Sequence, residues 1–237
     1  MTGLTFTAAP PPVNMQTLWF VTRAAGLVSL ALLSLAVVLG ILSTSRAPVG
    51  RAWPRFLNQG LHRNVSLIGV ALLVVHIGTA VADDFVSVRL RDVFIPVGGL
   101  YRPLWLGAGA AAIDVVLVVT LTSLIRVRLG HRTWRTIHWA AYAAWGLAVV
   151  HGLGTGSDAK LHWALSLQAA CVGCVLVAIG FRLTDGWPSH RLRRMLGAAG
   201  ILACAALVAM WALQGPLAPG WSHRSGTPKP SAAVAGR

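Results

Sequence analysis

The chain has 237 residues, of which 56% are hydrophobic and only 11% are charged, and its mean hydropathy is +0.69. A soluble domain of this size needs a polar surface, so this composition excludes one and predicts a membrane protein. The net charge of +14 does not indicate nucleic-acid binding, because the basic residues lie in short connections between apolar segments, where they set membrane topology.

Six apolar segments, most of them near the roughly 20 residues that cross a hydrocarbon core, predict an all-α fold: a polytopic bundle of six transmembrane helices. Residues 1–16 lack the basic stretch of a cleaved signal peptide, so the first helix is expected to remain in the mature protein. Residues 214–237 are rich in Ser, Pro, Gly and Ala and predict a disordered tail. The six segments are 17–42, 64–82, 104–125, 137–153, 161–182 and 195–213.

Arginines are concentrated in the connections that follow the first, third and fifth segments. Because basic connections stay in the cytoplasm, we expect a multi-pass protein of the plasma membrane with both termini, 1–16 and 214–237, on the extracytoplasmic side. The distribution of acidic residues agrees, since four aspartates fall in the outer connections: Asp83, Asp84, Asp92 and Asp158.

The second and fourth segments each carry a histidine near both ends. His62 and His76 are 14 residues apart, and His138 and His151 are 13 residues apart. Both segments follow a basic connection and therefore run in the same direction. At about 1.5 Å of rise per residue, the pairs His62/His138 and His76/His151 then lie at two shared depths, roughly 20 Å apart.

Neutral imidazole is a common metal ligand, and an unpaired polar ring in lipid is costly, so depth-matched pairs predict two metal centres rather than interfacial polar residues. A zinc or copper site needs three or four protein ligands at one depth, whereas haem brings four nitrogens and needs two axial ligands. The rotation along the fourth segment fits this arrangement less well than the shared depths do. At about 100° per residue, the 13 residues from His138 to His151 end about 140° away from the starting face of the helix. Three glycines are expected to permit a local distortion: Gly146, Gly152 and Gly154.

Other polar residues inside the segments are secondary candidates. Arg23, inside the first segment, is a candidate partner of an outer-haem propionate, and the alternative is snorkelling to the interface. Asp114 could pair with Arg23, carry protons or serve packing, and His162 is an alternative outer ligand. Cys171 and Cys174 form a C-x-x-C in mid-membrane, where packing is more usual than redox chemistry.

Segments 61–76 (LHRNVSLIGVALLVVH) and 132–152 (RTWRTIHWAAYAAWGLAVVHG), with 19–26 (WFVTRAAG), resemble the ferric reductase-like transmembrane domain superfamily. This superfamily is shared by ferric reductases, NADPH oxidases and the haem subunit of a bacterial methionine sulfoxide reductase system. The resemblance runs over about residues 18–182. It implies two b-type haems, with ferric iron as an extracytoplasmic electron acceptor. The implied ligands are His62 and His138 for the inner haem, and His76 and His151 for the outer haem.

Ferric reductases and NADPH oxidases continue into a cytoplasmic module that binds flavin and NADPH. This sequence has no G-x-G-x-x-G fingerprint and no stretch long enough for a Rossmann unit, so no FAD or NAD site is expected in it. The electron donor is then a separate flavin/NAD(P)H reductase or quinol. Three functions stay open: an oxidoreductase that works with a partner, a haem-bearing relay subunit of a separate reductase, and a haemless transporter. The lack of inverted repeats and Pro-interrupted helices counts against the transporter.

Overall fold

The computed structural model describes residues 13–44, 55–83, 88–96, 102–155, 161–184 and 191–218, and the regular secondary structure in these ranges is helical throughout. This confirms the predicted all-α class. The helices are α1 (Val13–Thr44), α2 (Arg55–Ala82), α3 (Leu90–Phe94), α4 (Pro103–Leu124), α5 (Arg126–Leu129), α6 (His131–His138), α7 (Ala140–Thr155), α8 (His162–Thr184) and α9 (Arg191–Gln214).

Within these residues, five helices are long and apolar enough to cross a membrane: α1, α2, α4, α8 and α9. The fourth predicted segment is not among them, because the chain there is divided between two shorter helices. α6 ends at His138, and α7 has only 16 residues. Five of the six predicted spans therefore appear as single continuous helices.

The division between α6 and α7 falls at Trp139. The Tyr142 amide donates to the Trp139 carbonyl at 3.2 Å, a bond between residues three apart rather than four. Such a turn adds more rotation per residue than an α-helix, which is the sense needed to bring His138 and His151 toward one face. The glycines expected to supply this distortion lie instead inside the continuous helix α7: Gly146, Gly152 and Gly154.

α1 is the central helix of the bundle, since α2, α7 and α8 all pack against it, and α4 packs against α6 and α7. In lipid, helix association depends on close packing and interhelical hydrogen bonds rather than on hydrophobic burial. One buried cluster joins α1, α7 and α9 through Leu30, Val149, Leu153 and Ala212. After α9 the chain turns back at 215–218, where Pro216 is buried and Leu217 packs on this cluster. The first residues of the predicted tail therefore belong to the packed structure.

Polar side chains tie α1 to its neighbours. Asn58 of α2 is buried, and its Nδ2 donates to the Leu39 carbonyl at 3.1 Å and to Ser43 Oγ at 2.6 Å. Trp145 Nε1 of α7 donates to Ser34 Oγ at 2.9 Å. These bonds hold α2 and α7 at defined positions along α1.

We expect Asn58→Ala to lower the free energy of unfolding by about 1 kcal/mol, because it removes both hydrogen bonds between the start of α2 and the end of α1. Thermal unfolding in detergent, followed by circular dichroism, measures the loss. Gln59→Ala is the matched control, since Gln59 is the next residue of the same helix and is exposed. Equal unfolding temperatures for the two variants would contradict the prediction.

Candidate functional site

The four histidines singled out in the sequence come together as two pairs. The ring centres of His62 and His138 are 6.1 Å apart, with the ring planes at 73°. Those of His76 and His151 are 6.3 Å apart, with the planes at 83°. Each pair joins α2 to the α6–α7 segment, one pair toward each end of α2.

The helix ends differ from those predicted around the first pair. α2 begins at Arg55, so His62 lies about two turns inside the helix rather than at its start. His138 is the last residue of α6, immediately before the break at Trp139. The break between α6 and α7 therefore lies next to one member of this pair.

Three of the four histidines donate a hydrogen bond from Nδ1 to a main-chain carbonyl. A carbonyl oxygen only accepts, so in these rings Nδ1 carries the proton and Nε2 of the neutral imidazole keeps its lone pair. The ring geometry directs Nε2 away from the helix that supplies the carbonyl. The distances are 2.8 Å from His62 to Ala36, 2.7 Å from His76 to Thr22, and 2.9 Å from His151 to Trp105.

A glycine stands four residues after each of these carbonyls. In an α-helix the amide of residue i+4 bonds the carbonyl of residue i, so the side chain at i+4 stands beside any second donor that approaches that carbonyl. A Cβ at Gly26 would lie 2.9 Å from the His76 ring, and a Cβ at Gly40 would lie 3.4 Å from the His62 ring. A Cβ at Gly109 would overlap the His151 ring. Glycine therefore opens the path to the carbonyl at Gly26 and Gly109, whereas a Cβ at Gly40 would be in van der Waals contact with the ring.

The glycines on α1 repeat the histidine spacing of α2. Gly26 and Gly40 are 14 residues apart, as are His62 and His76, and the contacts pair them in antiparallel order. Sequence reasoning missed these residues, although the equal spacing of two glycines and two histidines on consecutive segments was a visible signal.

His138 is held differently from the other three. Its Nδ1 is buried and makes no hydrogen bond to the described residues. Trp134, one turn earlier on α6, stacks on its ring with the ring centres 5.0 Å apart and the planes at 28°. The ring is thus positioned by an aromatic contact.

The pairs fit the axial ligands of a haem. The bond from an imidazole nitrogen to a first-row metal is about 2.0 Å, and the nitrogen lies about 1.1 Å from its ring centre. Two imidazoles on opposite sides of one metal therefore have centres about 6.2 Å apart. Over the described ranges, no group of three or more His, Cys, Asp and Glu could hold a bare ion. Paired imidazoles alone suit a metal whose other ligands come with the cofactor.

The helices that carry the pairs have little direct contact with each other. In the described part of the chain, α2 packs extensively on α1, and α7 on α4, but no comparable contact joins α2 to α6 or α7. The paired rings lie between these helices, and the Nδ1 bonds of three of the rings tie them to α1 and α4. A porphyrin held by two such rings would lie between helices that do not pack closely on each other.

The secondary candidates lie on α1, α4 and α8. The Arg23 guanidinium stands 4.0 Å over the Trp19 ring, one turn before Gly26 on α1. Asp114 is half-buried on α4, and His162 is exposed at the start of α8. The cysteines of α8 are free, one buried and one exposed: Cys171 and Cys174.

A further cationic residue near the His151 end was not singled out from the sequence. Arg102 is buried in a left-handed conformation (φ 42°) directly before Pro103, and its Nη1 donates to the Gly154 carbonyl at 2.7 Å. A Cβ at Gly154 would overlap the ring of Trp105, which is also buried. The residue before a proline is biased away from the helical region, and this was the available signal that the chain turns sharply here.

The family described as "Ferric reductase like transmembrane component" matches residues 25–149. The match contains three of the four histidines and ends two residues before His151. Neither a search of curated proteins nor a search of solved structures gave a match. Because the match covers more than half of the chain, the protein belongs to the ferric reductase-like transmembrane family. It is a multi-pass membrane protein, and the family indicates a role in transmembrane electron transfer.

We expect Gly109→Ala to lower the free energy of unfolding by about 1–3 kcal/mol, because the new Cβ would overlap the His151 ring. Gly78→Ala is the matched control, since nothing lies within 4 Å of a Cβ at that helical position. There, alanine should stabilise the helix by up to about 1 kcal/mol. Thermal unfolding in detergent compares the two variants, and a destabilised Gly78→Ala beside an unaffected Gly109→Ala would be the contrary result.

Proposed function

We propose that this protein is a cytochrome b of the ferric reductase-like family that passes electrons across the membrane to an extracytoplasmic acceptor. The observation that carries the proposal is the two histidine pairs, whose ring centres are 6.1 and 6.3 Å apart and which lie toward the two ends of α2. Family membership supports it, since ferric reductase-like domains generally bind haem.

In this proposal His62 and His138 hold an inner haem b, and His76 and His151 hold an outer one. A bound haem supplies one-electron exchange at its iron, and two at separate depths would give an electron a path through the bilayer. The chain contributes the ligands and their orientation. The Nδ1 bonds to carbonyls select the tautomer whose Nε2 can bind iron, and they raise the basicity of that nitrogen.

Arg23 is the proposed partner of an outer-haem propionate. It lies on α1 one turn from Gly26, which contacts the His76 ring. A guanidinium inside a membrane-spanning helix is stabilised by a carboxylate partner. The position of the Arg23 guanidinium over the Trp19 ring is a second favourable contact.

We propose that α6 and α7 together form the remaining span, since with Trp139 they exceed the roughly 20 residues required. The arginines of α5 and α6 then mark the cytoplasmic side, and both termini face outward across the plasma membrane. Four exposed arginines surround the His138 end: Arg126, Arg128, Arg132 and Arg135. A cationic surface beside the inner pair suits an acidic face of a separate flavin/NAD(P)H reductase, and quinol is the alternative donor.

Each of the substitutions His62→Ala and His138→Ala should remove one haem, and His76→Ala and His151→Ala should each remove the other. A reduced-minus-oxidised visible spectrum with haem quantification measures this, and wild type should carry two b-type haems per chain. His162→Ala is the control and should keep both, because that ring is exposed at the start of α8. A wild type without b-type absorbance, or four variants with unchanged haem content, would refute the proposal.

Proteoliposomes test the direction of transfer and the acceptor. With quinol or a reduced flavoprotein inside and a ferric chelate outside, wild type should reduce the chelate. His76→Ala should still allow reduction of the inner haem but should lose ferric reduction, because the outer site is gone. If both haems become reduced in wild type and the chelate does not, the chain is a relay subunit of a separate reductase.

A further inference from the structure

Among the described residues, His138 lacks the hydrogen bond from Nδ1 to a main-chain carbonyl that the other three histidines make. The reason lies on α4. On α1 the two glycines that admit a histidine are 14 residues apart, Gly26 and Gly40. On α4 the first such glycine is Gly109, and the position 14 residues further is Ser123. By this spacing, Ser123 stands at the α4 position that corresponds to a second glycine.

The Ser123 hydroxyl is bonded to the carbonyl that would otherwise accept from His138. Its Oγ donates to the Val119 carbonyl at 2.6 Å, four residues earlier on α4. This is the same offset that separates each of the three glycines from its histidine-bonded carbonyl. The hydroxyl thus competes for the carbonyl that would accept from His138, whose buried Nδ1 has no hydrogen bond within the described structure.

The same hydroxyl anchors the residue that does position His138. Trp134 Nε1 donates to Ser123 Oγ at 3.2 Å, and the Trp134 ring stacks on the His138 ring. Ser123 is thus linked to the imidazole through the indole. α4 packs directly against α6, which brings the two positions to one level of the bundle.

We propose that Ser123, acting through Trp134, is a positioning residue that makes the two haem sites electronically unequal; this rests on the function proposed above. A hydrogen bond from Nδ1–H to a carbonyl raises the basicity of an axial imidazole and so favours the oxidised iron. Both outer ligands have this bond, whereas only His62 of the inner pair has it. The inner iron therefore has one axial ligand with weaker donor character.

The test is a redox titration of the full-length protein in membranes, monitored at the haem absorbance, together with electron paramagnetic resonance of the oxidised haems. Ser123→Gly removes the 2.6 Å bond to the Val119 carbonyl and opens the space beside it, so His138 can compete for this acceptor with the longer bond from Thr122 at 3.2 Å. One of the two midpoint potentials should shift to a more negative value while the other stays unchanged. Ser123→Ala removes the same bond but keeps the Cβ, so it should give no negative shift.

Thr122→Gly is the matched control for the loosening of α4 by glycine. Thr122 donates to the carbonyls of Val118 at 2.7 Å and Val119 at 3.2 Å, and its removal leaves the shorter Ser123 bond and the Ser123 Cβ in place. Thr122→Gly should leave both potentials unchanged. Unchanged potentials in Ser123→Gly, equal shifts of both haems, or the same negative shift in Ser123→Ala would overturn the inference. A wild type without haem would instead refute the proposed function, so the two failures are distinguishable.

Trp134→Phe provides a second measurement if Ser123→Gly does not accumulate. It removes the indole donor and keeps an aromatic ring beside His138. Because the orientation of the axial rings sets the resonance of an oxidised low-spin haem, the inner-haem signal should change while the outer-haem signal stays the same. An unaltered inner signal would overturn the positioning role.

Discussion

The structure depends on one repeated contact: an imidazole Nδ1–H that donates to a helix carbonyl beside a glycine. The contact joins α2 to α1 at two levels and α7 to α4 at one. In lipid an unbonded ring nitrogen is costly, so the bond contributes to helix association while it orients the ring. The same interaction that joins the helices therefore fixes the tautomer of the ring and leaves the Nε2 lone pair available.

This contact explains why the helices contribute two different kinds of residue. α2 and α7 carry histidines, and α1 and α4 supply the carbonyls and glycines behind them. The helices with the histidines pack mainly on α1 and α4 rather than on each other. The paired rings therefore meet between helices whose positions depend little on direct contact with one another.

Much of this could be predicted from sequence. The apolar segments gave the all-α class, and the basic connections gave the common direction of the second and fourth segments, from which the pairs His62/His138 and His76/His151 followed. The partition at Trp139 could not be predicted, because it depends on a turn whose residues have ordinary helical preferences. The missing Nδ1 bond of His138 could not be predicted either, since it depends on the Ser123 hydroxyl of a neighbouring helix.

The sequence by itself determined that the chain is a helical membrane protein with histidines at two matched depths. Only the tertiary structure decided which nitrogen of three rings carries the proton, which glycines stand behind them, and which ring is left to an indole. The reason is distance along the chain. Hydrophobic length and loop charge act within one segment, whereas the bonds that orient the rings join residues 26, 46 and 54 positions apart.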